Sequence, residues 1–153
     1  SFYLTKKGGY FGLIDIDENE ILPFEYDKLI LFGDSLVWTQ HEDLWSLRHL
    51  FREETLIEDV SRFETFLETD QHVFSRYYKT GGLGLVNGQG QILLKPKFNE
   101  VTNVGTGQEP LFMIELYSEE ADYYVVFYMD EVGVRIEAHA YNPQEYGKVL
   151  CEE

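Results

Sequence analysis

The chain has 153 residues, of which 44% are apolar, so it is long enough for one domain or a short array of repeats around a buried core. Its 28 acidic and 12 basic residues give a formal net charge of −16, which opposes binding to nucleic acid or to an anionic membrane surface. Because no apolar run approaches the roughly 20 residues that span a bilayer, we also predict no membrane insertion.

A single cysteine, Cys151, excludes an internal disulfide framework and leaves the compartment open between cell envelope and cytoplasm. The chain begins at Ser1 rather than Met, which we interpret as the mark of a processed or trimmed product. Tyr and Phe supply nearly all of the 16% aromatic content, and this composition favours β-structure over disorder.

The sequence is internally repetitive. Residues 12–29 align without a gap with residues 84–101, an offset of 72 that predicts a degenerate copy about halfway between them, and residues 46–63 supply it at an offset of 34. A fourth copy is visible chiefly where residues 143–150 echo residues 23–30. Apolar residues recur with spacings of four, three and three in the first three copies: Leu22, Tyr26, Leu29 and Phe32; Leu56, Val60, Phe63 and Phe66; Leu94, Phe98, Val101 and Val104.

Each copy is predicted to form three short strands, separated by turns that are rich in Gly, Asp and Asn. The predicted strands, in chain order, are Phe2–Leu4, Tyr10–Asp15 and Glu20–Phe24; Leu36–Trp38, Trp45–Leu50 and Thr55–Glu58; His72–Phe74, Leu83–Asn87 and Gln91–Lys95; Leu111–Leu116, Tyr123–Met129 and Val134–Ala138.

These strands predict an all-β fold. It consists of four repeats of a three-stranded antiparallel meander in a curved, solenoid-like or propeller-like array, in units of approximately 1–32, 33–66, 67–104 and 105–153. One such unit is too small to bury its apolar surface alone, so neighbouring units are expected to share a core within a single domain. An amphipathic helix over residues 53–67 remains an alternative, because the apolar residues there also fit a period of 3.6.

The run from Tyr10 to Asp15, followed by the run from Ile21 to Leu29, resembles the bacterial WG-repeat family, also called KWG repeats. The shared features are an aromatic–Gly pair, an Asp-containing hairpin, a Pro step and a Tyr–Asp pair. The Trp–Gly pair itself is replaced here, for example by Phe11-Gly12. The resemblance implies a repeat-built bacterial β module that is commonly appended to other domains and has no established catalytic activity.

Asp15, Asp17 and Asn19 have the alternating oxygen spacing that opens a calcium-binding loop of the helix–loop–helix type. Such a loop needs Gly at its sixth position and Glu at its twelfth, whereas this chain has Glu20 and Tyr26 there. We therefore interpret the three residues as turn residues and predict no metal site.

No catalytic or cofactor-binding residue is predicted. The four histidines, His41, His49, His72 and His139, form no ligand pair, and Cys151 lies beside two glutamates, which raise the pKa of a thiol and weaken it as a nucleophile. The serines lack a nucleophile elbow, and the glycines near residue 82 do not lead into a phosphate-binding Lys-Ser or Lys-Thr. The protein is accordingly expected not to be an enzyme.

The negative charge is unevenly distributed. Residues 1–33, 34–76, 77–108 and 109–153 carry net charges of −3, −6, +2 and −9. In the last unit, Glu119, Glu120 and Asp122 lie in the turn of the longest predicted hairpin, whose strands are aromatic and apolar on both faces. A polar outer face on a terminal repeat explains this charge without any function. The alternative hypothesis is that these three residues contact a basic partner.

Three functions are carried forward. The first is a protein-binding or scaffolding module. The second is an acidic inhibitor or immunity-type protein that blocks a basic partner, and the third is a carbohydrate or cell-wall binding module that uses exposed Tyr with Trp38 or Trp45. None of them requires a cofactor.

Overall fold

A computed structural model of the protein describes residues 1–145. In these residues fifteen strands form four antiparallel sheets, with one helical turn at residues 143–145. Strands that are neighbours in a sheet are consecutive in sequence, so each sheet is a meander. The all-β array of repeated meanders predicted from the sequence is confirmed. No helix in the described part of the chain is long and apolar enough to cross a membrane.

The strands divide among the sheets in chain order. Sheet 1 contains β1 (Phe2–Lys7), β2 (Tyr10–Asp15) and β3 (Glu20–Tyr26). Sheet 2 contains β4 (Lys28–Phe32), β5 (Leu36–His41), β6 (Leu44–His49) and β7 (Thr55–Val60). Sheet 3 contains β8 (Arg62–Glu68), β9 (Val73–Lys79), β10 (Gly82–Asn87) and β11 (Ile92–Phe98). Sheet 4 contains β12 (Glu100–Asn103), β13 (Leu111–Ser118), β14 (Tyr123–Asp130) and β15 (Arg135–Tyr141).

Three of the sheets contain one strand more than the sequence analysis placed. The additional strands are β4, β8 and β12, and each follows the last strand of the preceding sheet after a single residue, Asp27, Ser61 or Asn99. The backbone N–H of that residue donates to a carbonyl on the second strand of the new sheet, that of Gln40, Tyr78 or Glu115, at 2.9 Å each. No Gly or Pro marks these corners, and one isolated Asp, Ser or Asn residue was too little to separate two strands in the sequence analysis.

Residues 53–67, for which a helix was the alternative, form most of β7 and β8 instead. The strand interpretation of this segment is confirmed. Its apolar residues serve two different sheets: Ile57 and Val60 lie in sheet 2, and Phe63 lies in sheet 3. A helical period across such a segment therefore reflects two short strands that share one core.

The hydrophobic core lies in three layers between consecutive sheets. Each layer takes side chains from both sheets that border it, so the interior sheets bury both of their faces. The buried residues are, between sheets 1 and 2, Leu13, Leu22, Tyr26, Leu29, Val37 and Leu50; between sheets 2 and 3, Phe32, Leu36, Trp38, Leu47, Ile57, Val60, Tyr77 and Val86; and between sheets 3 and 4, Phe74, Leu83, Leu85, Leu94, Phe98, Val101, Phe112, Ile114, Phe127 and Met129.

The recurring apolar positions found in the sequence are largely these core residues. They extend across a corner of the chain: Leu22 and Tyr26 end one sheet, whereas Leu29 and Phe32 begin the next. This arrangement explains why they outlast the surface residues, since each set forms parts of two sheets and their shared core. Val104 is the exception, because it lies beyond β12 and is 48% exposed.

Glycine has a packing role at this position of the repeat, in Phe11-Gly12 and in Leu83-Gly84. A Cβ atom at Gly12 would lie 2.9 Å from the Phe24 ring, and one at Gly84 would lie 2.5 Å from the Tyr77 ring. Tyr77 crosses Gly84 and donates its hydroxyl to the Leu94 carbonyl at 3.2 Å, with its side chain buried. Glycine is therefore required because an aromatic ring occupies the space that any side chain would need.

An arginine joins sheets 3 and 4. Arg76 on β9 donates its Nε to the Val101 carbonyl at 2.7 Å, and its guanidinium lies 3.9 Å from the Phe66 ring centre. Ion pairs with Glu64 at 3.4 Å and Glu100 at 3.6 Å complete its surroundings. The charge thus lies among partners from both sheets, and it contributes to their mutual position.

Candidate functional site

The hairpin formed by β13 and β14 extends beyond β12, the first strand of its sheet, and β15 pairs with it as far as Tyr141 opposite Tyr124. Its strands have eight residues each and pair from Leu111 opposite Asp130 to Ser118 opposite Tyr123. In sheets 2 and 3 the second strand ends one residue after Gln40 or Tyr78, whose carbonyl accepts the N–H of the corner residue. In sheet 4 the equivalent residue is Glu115, and β13 continues for three residues beyond it. The extra two residue pairs extend the hairpin by about 7 Å.

The tip of this hairpin is held by its own polar groups. Tyr117 donates its hydroxyl to Oδ1 of Asp122 at 2.9 Å, and its ring centre lies 4.7 Å from that of Tyr124. At the base of the extension, Oδ1 of Asn99 accepts the Tyr117 backbone N–H at 2.6 Å. The hydrogen bond to Asp122 raises the pKa of the Tyr117 phenol. Asp122, which has a φ of 53°, is therefore part of the structure of the tip.

Three exposed side chains at the tip lie outside these hydrogen bonds. Glu119 and Glu120 are exposed, and within residues 1–145 neither makes a hydrogen bond or an ion pair. Tyr123, the first residue of β14, is 49% exposed. The structure therefore places two exposed carboxylates, unpaired within residues 1–145, in the turn of the hairpin and an exposed phenol ring directly after it.

The two faces of sheet 4 differ in how deeply their side chains are buried. Phe112, Ile114 and Phe127 face sheet 3 and are buried. The opposite face presents alternate residues of the same strands, including Met113 opposite Tyr128 and Tyr117 opposite Tyr124, which are half-buried. This outer face contacts no further sheet among the described residues. It is aromatic and rimmed by the acidic hairpin tip, a composition enriched in protein interfaces.

Both tryptophans pack at the core between sheets 2 and 3. Trp38 is fully buried, and its ring stacks on that of Phe63 with centres 4.4 Å apart. Trp45 packs edge-on against the same Phe63 ring at 4.8 Å and is half-buried. The prediction that an exposed Trp38 binds carbohydrate is therefore wrong, because its ring forms part of the core between sheets 2 and 3, whereas Trp45 is partly buried against the same core.

Asp15 stabilises a turn. Its Oδ1 accepts the backbone N–H groups of Asn19 and Asp17, both at 2.9 Å. The hydrogen bonds from Asn19, and to a lesser extent that from Asp17, lower the pKa of the Asp15 carboxyl group. The same pattern recurs at Asn87 and at Asp130, each of which accepts the N–H groups two and four residues further on. The sequence alignment paired Asp15 with Asn87, and that pairing was the available sign of this repeated turn.

The histidines are not brought together. His49 lies beside Glu54 at 3.7 Å, His72 lies by the Gln108 carbonyl at 3.1 Å, and His139 lies beside Glu137 at 3.3 Å. Within residues 1–145 no three His, Asp, Glu or Cys side chains are grouped so that they could hold a metal ion. Cys151, and the part of the fourth-copy echo that follows residue 145, lie outside the described residues.

The fold defines a repeat protein built from consecutive antiparallel β meanders. The family model for the WG containing repeat matches residues 11–45 and 84–106, which run from β2 into β6 and from β10 past β12. The resemblance inferred from the first and third copies is thereby confirmed at these two segments. No curated protein and no solved structure matches the chain.

Proposed function

We propose that this protein is a non-enzymatic repeat module that binds another protein through the tip of the β13–β14 hairpin. Glu119 and Glu120 are the direct contacts with a basic partner, and Tyr123 is the aromatic anchor between them and the sheet. Asp122 holds the tip through Tyr117 and offers its second carboxylate oxygen. The observation that carries the proposal is the pair of exposed carboxylates in the turn of the longest hairpin, neither of which is paired within residues 1–145.

The physical basis is that the exposed turn of the hairpin is held by strands whose side chains are buried in the core. Phe112, Ile114 and Phe127 anchor the hairpin in the core, so little conformational entropy is lost when the tip is bound. The net charge of −9 over residues 109–153 attracts a basic surface at long range and raises the association rate. Tyr is favoured at interfaces because it buries a large ring and keeps a polar hydroxyl.

The test is affinity capture from cells that make the protein, with matched charge-reversal variants. The test variant carries Glu119→Lys and Glu120→Lys. The control variant carries Asp17→Lys and Glu58→Lys, which make the same charge change at exposed positions of sheets 1 and 2. We expect a partner that is captured by the wild type and the control and is lost with the test variant. Equal capture by all three chains would eliminate the hairpin as the site.

The uneven acidity also favours a second candidate, an inhibitor or immunity-type protein that covers a basic functional surface. This candidate predicts a tight complex whose affinity falls steeply with salt, because the contact is mainly electrostatic. Measuring the affinity of the captured partner at 50 mM and at about 500 mM salt separates the two candidates. A complex that is insensitive to salt counts against the inhibitor.

A further inference from the structure

In sheets 1 and 3 an aromatic ring covers one position of an inner strand. A Cβ atom at Gly12 on β2 would lie 2.9 Å from the Phe24 ring. One at Gly84 on β10 would lie 2.5 Å from the Tyr77 ring. Phe24 belongs to β3 and Tyr77 to β9, so the two sheets fill the same place with rings from different strands.

Sheet 2 has neither ring at this place. The residue on β6 is Ser46, and it pairs with Thr39 on β5. In sheet 3 the equivalent pair is Gly84 and Tyr77. A Glu–Asp pair occupies the bulge of β7, whereas the bulge of β3 contains Phe24. Small and acidic side chains thus stand where the other two sheets have a ring.

The corresponding space in sheet 2 is an open groove of about 550 Å³. This volume lies within the range of about 300–1,000 Å³ that is typical of ligand pockets. Thr39, which is 5% exposed, is the most deeply buried residue of the lining, and Ser46 lies beside it. All of the lining residues lie between residues 25 and 59, on β3 and in sheet 2. Two consecutive sheets therefore form the groove from the interior of the sequence.

One side of the groove offers a flat guanidinium group. Arg48 donates from Nη1 to the Tyr26 hydroxyl at 3.1 Å and from Nε to the His49 carbonyl at 3.3 Å. These bonds hold the guanidinium plane in the lining of the groove. An aromatic ring that enters can lie on this plane, as the Tyr78 ring lies 3.8 Å from the guanidinium of Arg62.

The rim of the groove is acidic. Its carboxylates are exposed, and within residues 1–145 none of them forms an ion pair. They are Glu25, Glu42, Glu58 and Asp59. Four carboxylates against the single guanidinium of Arg48 leave a net negative charge, which favours a ligand that carries positive charge beside its ring.

We propose that this groove binds an aromatic side chain that stands next to a basic residue in a partner protein. The ring takes the place that Tyr77 fills in sheet 3, and the basic side chain lies among the carboxylates of the rim. This is a second binding surface, and it does not depend on the β13–β14 hairpin.

The test uses the capped tripeptide Lys-Tyr-Lys, added to the full chain. The backbone amide shifts of Thr39 and Ser46 report binding in the groove, and we expect them to change with saturation. Lys-Ala-Lys should bind at least about five-fold more weakly, because it lacks the ring that is buried. Glu-Tyr-Glu should bind at least about ten-fold more weakly, because its charges repel those of the rim.

A transplanted ring tests the groove from the side of the chain. Thr39→Tyr combined with Ser46→Gly places the Tyr77 and Gly84 pair of sheet 3 in sheet 2, so the chain fills its own groove. Ser46→Gly alone leaves the groove open and is the matched comparison. We expect the double variant to bind Lys-Tyr-Lys at least about ten-fold more weakly than Ser46→Gly, since the ring site is occupied. Thermal unfolding checks that both variants are folded.

A second pair of variants tests the rim and changes only exposed positions. Glu25→Lys combined with Glu58→Lys reverses two of the rim carboxylates. We expect it to bind Lys-Tyr-Lys at least about ten-fold more weakly and Glu-Tyr-Glu more tightly than the wild type does. The chain with Glu119→Lys and Glu120→Lys has the same charge change in the hairpin and should bind both peptides as the wild type does.

Affinity capture also separates the groove from the hairpin. A partner held by the groove is retained by the chain with Glu119→Lys and Glu120→Lys. It is weakened in the chain with Asp17→Lys and Glu58→Lys, which loses one carboxylate of the rim. This pattern is the reverse of the one expected for a partner held by the hairpin.

Three results would overturn the proposal. The first is no saturable shift of the Thr39 and Ser46 amides at millimolar Lys-Tyr-Lys. The second is equal binding of Lys-Tyr-Lys and Lys-Ala-Lys, which would mean that the groove takes charge and no ring. The third is equal binding of Lys-Tyr-Lys by the wild type and by the chain with Glu25→Lys and Glu58→Lys.

Discussion

Gly84 lies at a core position that leaves no room for a Cβ atom. The Tyr77 ring lies where a Cβ atom would be, and the Leu94 carbonyl borders the same space. Gly84→Ala should therefore lower the free energy of unfolding by about 1–3 kcal/mol through overpacking. Gly107→Ala is the control, because its Cβ would meet only side-chain methyl groups, that of Thr69 at 3.1 Å and one of Leu67 at 3.8 Å. Chemical denaturation of both variants measures the difference, and similar losses would contradict this account of the glycine.

Tyr77 also predicts a dependence of stability on alkaline pH. Burial raises the pKa of its phenol to about 12, above the value of about 10 expected in the unfolded chain. The stabilisation is thus fully present below pH 10 and is lost as the pH rises through 12, because the unfolded chain then ionises more readily. We expect Tyr77→Phe to cost about 1 kcal/mol at pH 8 and to make the decline of stability between about pH 10 and 12 shallower.

Urea unfolding at several pH values tests this prediction. Some decline should remain in Tyr77→Phe, since burial also raises the pKa of Tyr26. Identical pH profiles for the wild type and the variant would show that Tyr77 is not held neutral by the fold.

Among the elements, the turn between the last two strands of a sheet is stabilised by one side chain in sheets 1, 3 and 4. Asp130 accepts the N–H groups of Val132 and Val134 at 3.1 and 2.8 Å. Asp130→Ala should therefore cost about 1 kcal/mol of unfolding free energy. Asp130→Asn should recover most of this, because Asn87 makes the same two contacts in sheet 3. Equal losses in the two variants would assign the effect to charge instead of to the turn.

The elements also show how much of the structure the sequence could predict. Twelve of the strands follow from turns that Gly, Asp and Asn mark, as at residues 8–9 and 88–90. The strands β4, β8 and β12 could not be found in this way, because a single residue such as Asp27 turns the chain into the next sheet. The apolar spacing that identified the repeats already contained them, since Leu29 and Phe32 lie in β4.

For the candidate site, the sequence could predict the position of the hairpin but not its internal contacts. Glu119, Glu120 and Asp122 lie in one turn in both the prediction and the structure. The hydrogen bond from Tyr117 distinguishes Asp122 from the two glutamates, and it depends on the positive φ that directs this turn. Burial of Trp38 could not be inferred either, because Phe63, on which it stacks, belongs to the next sheet.

At the scale of the whole molecule, the core layers join each sheet to its neighbours. Sheet 3 buries one face against sheet 2 and the other against sheet 4, so the loss of one layer should weaken the other. Phe112→Ala, between sheets 3 and 4, should cost about 3–5 kcal/mol. Both tryptophans report on the layer between sheets 2 and 3, and their fluorescence midpoint should shift together with the circular-dichroism midpoint. A fluorescence midpoint that does not move would show that the sheets unfold independently.

The central claim is that the turn of the β13–β14 hairpin is a protein-binding surface, and site-specific photo-crosslinking tests it most directly. A photoreactive phenylalanine analogue replaces Tyr123 at the tip or, as the control, Leu31 on β4, which is 53% exposed. After irradiation in the cells that make the protein, we predict a discrete adduct with one basic protein from position 123 and none from position 31. We also predict that this adduct is lost when Glu119→Lys and Glu120→Lys are introduced into the same chain. No adduct from position 123, or the same adducts from both positions, would contradict the account.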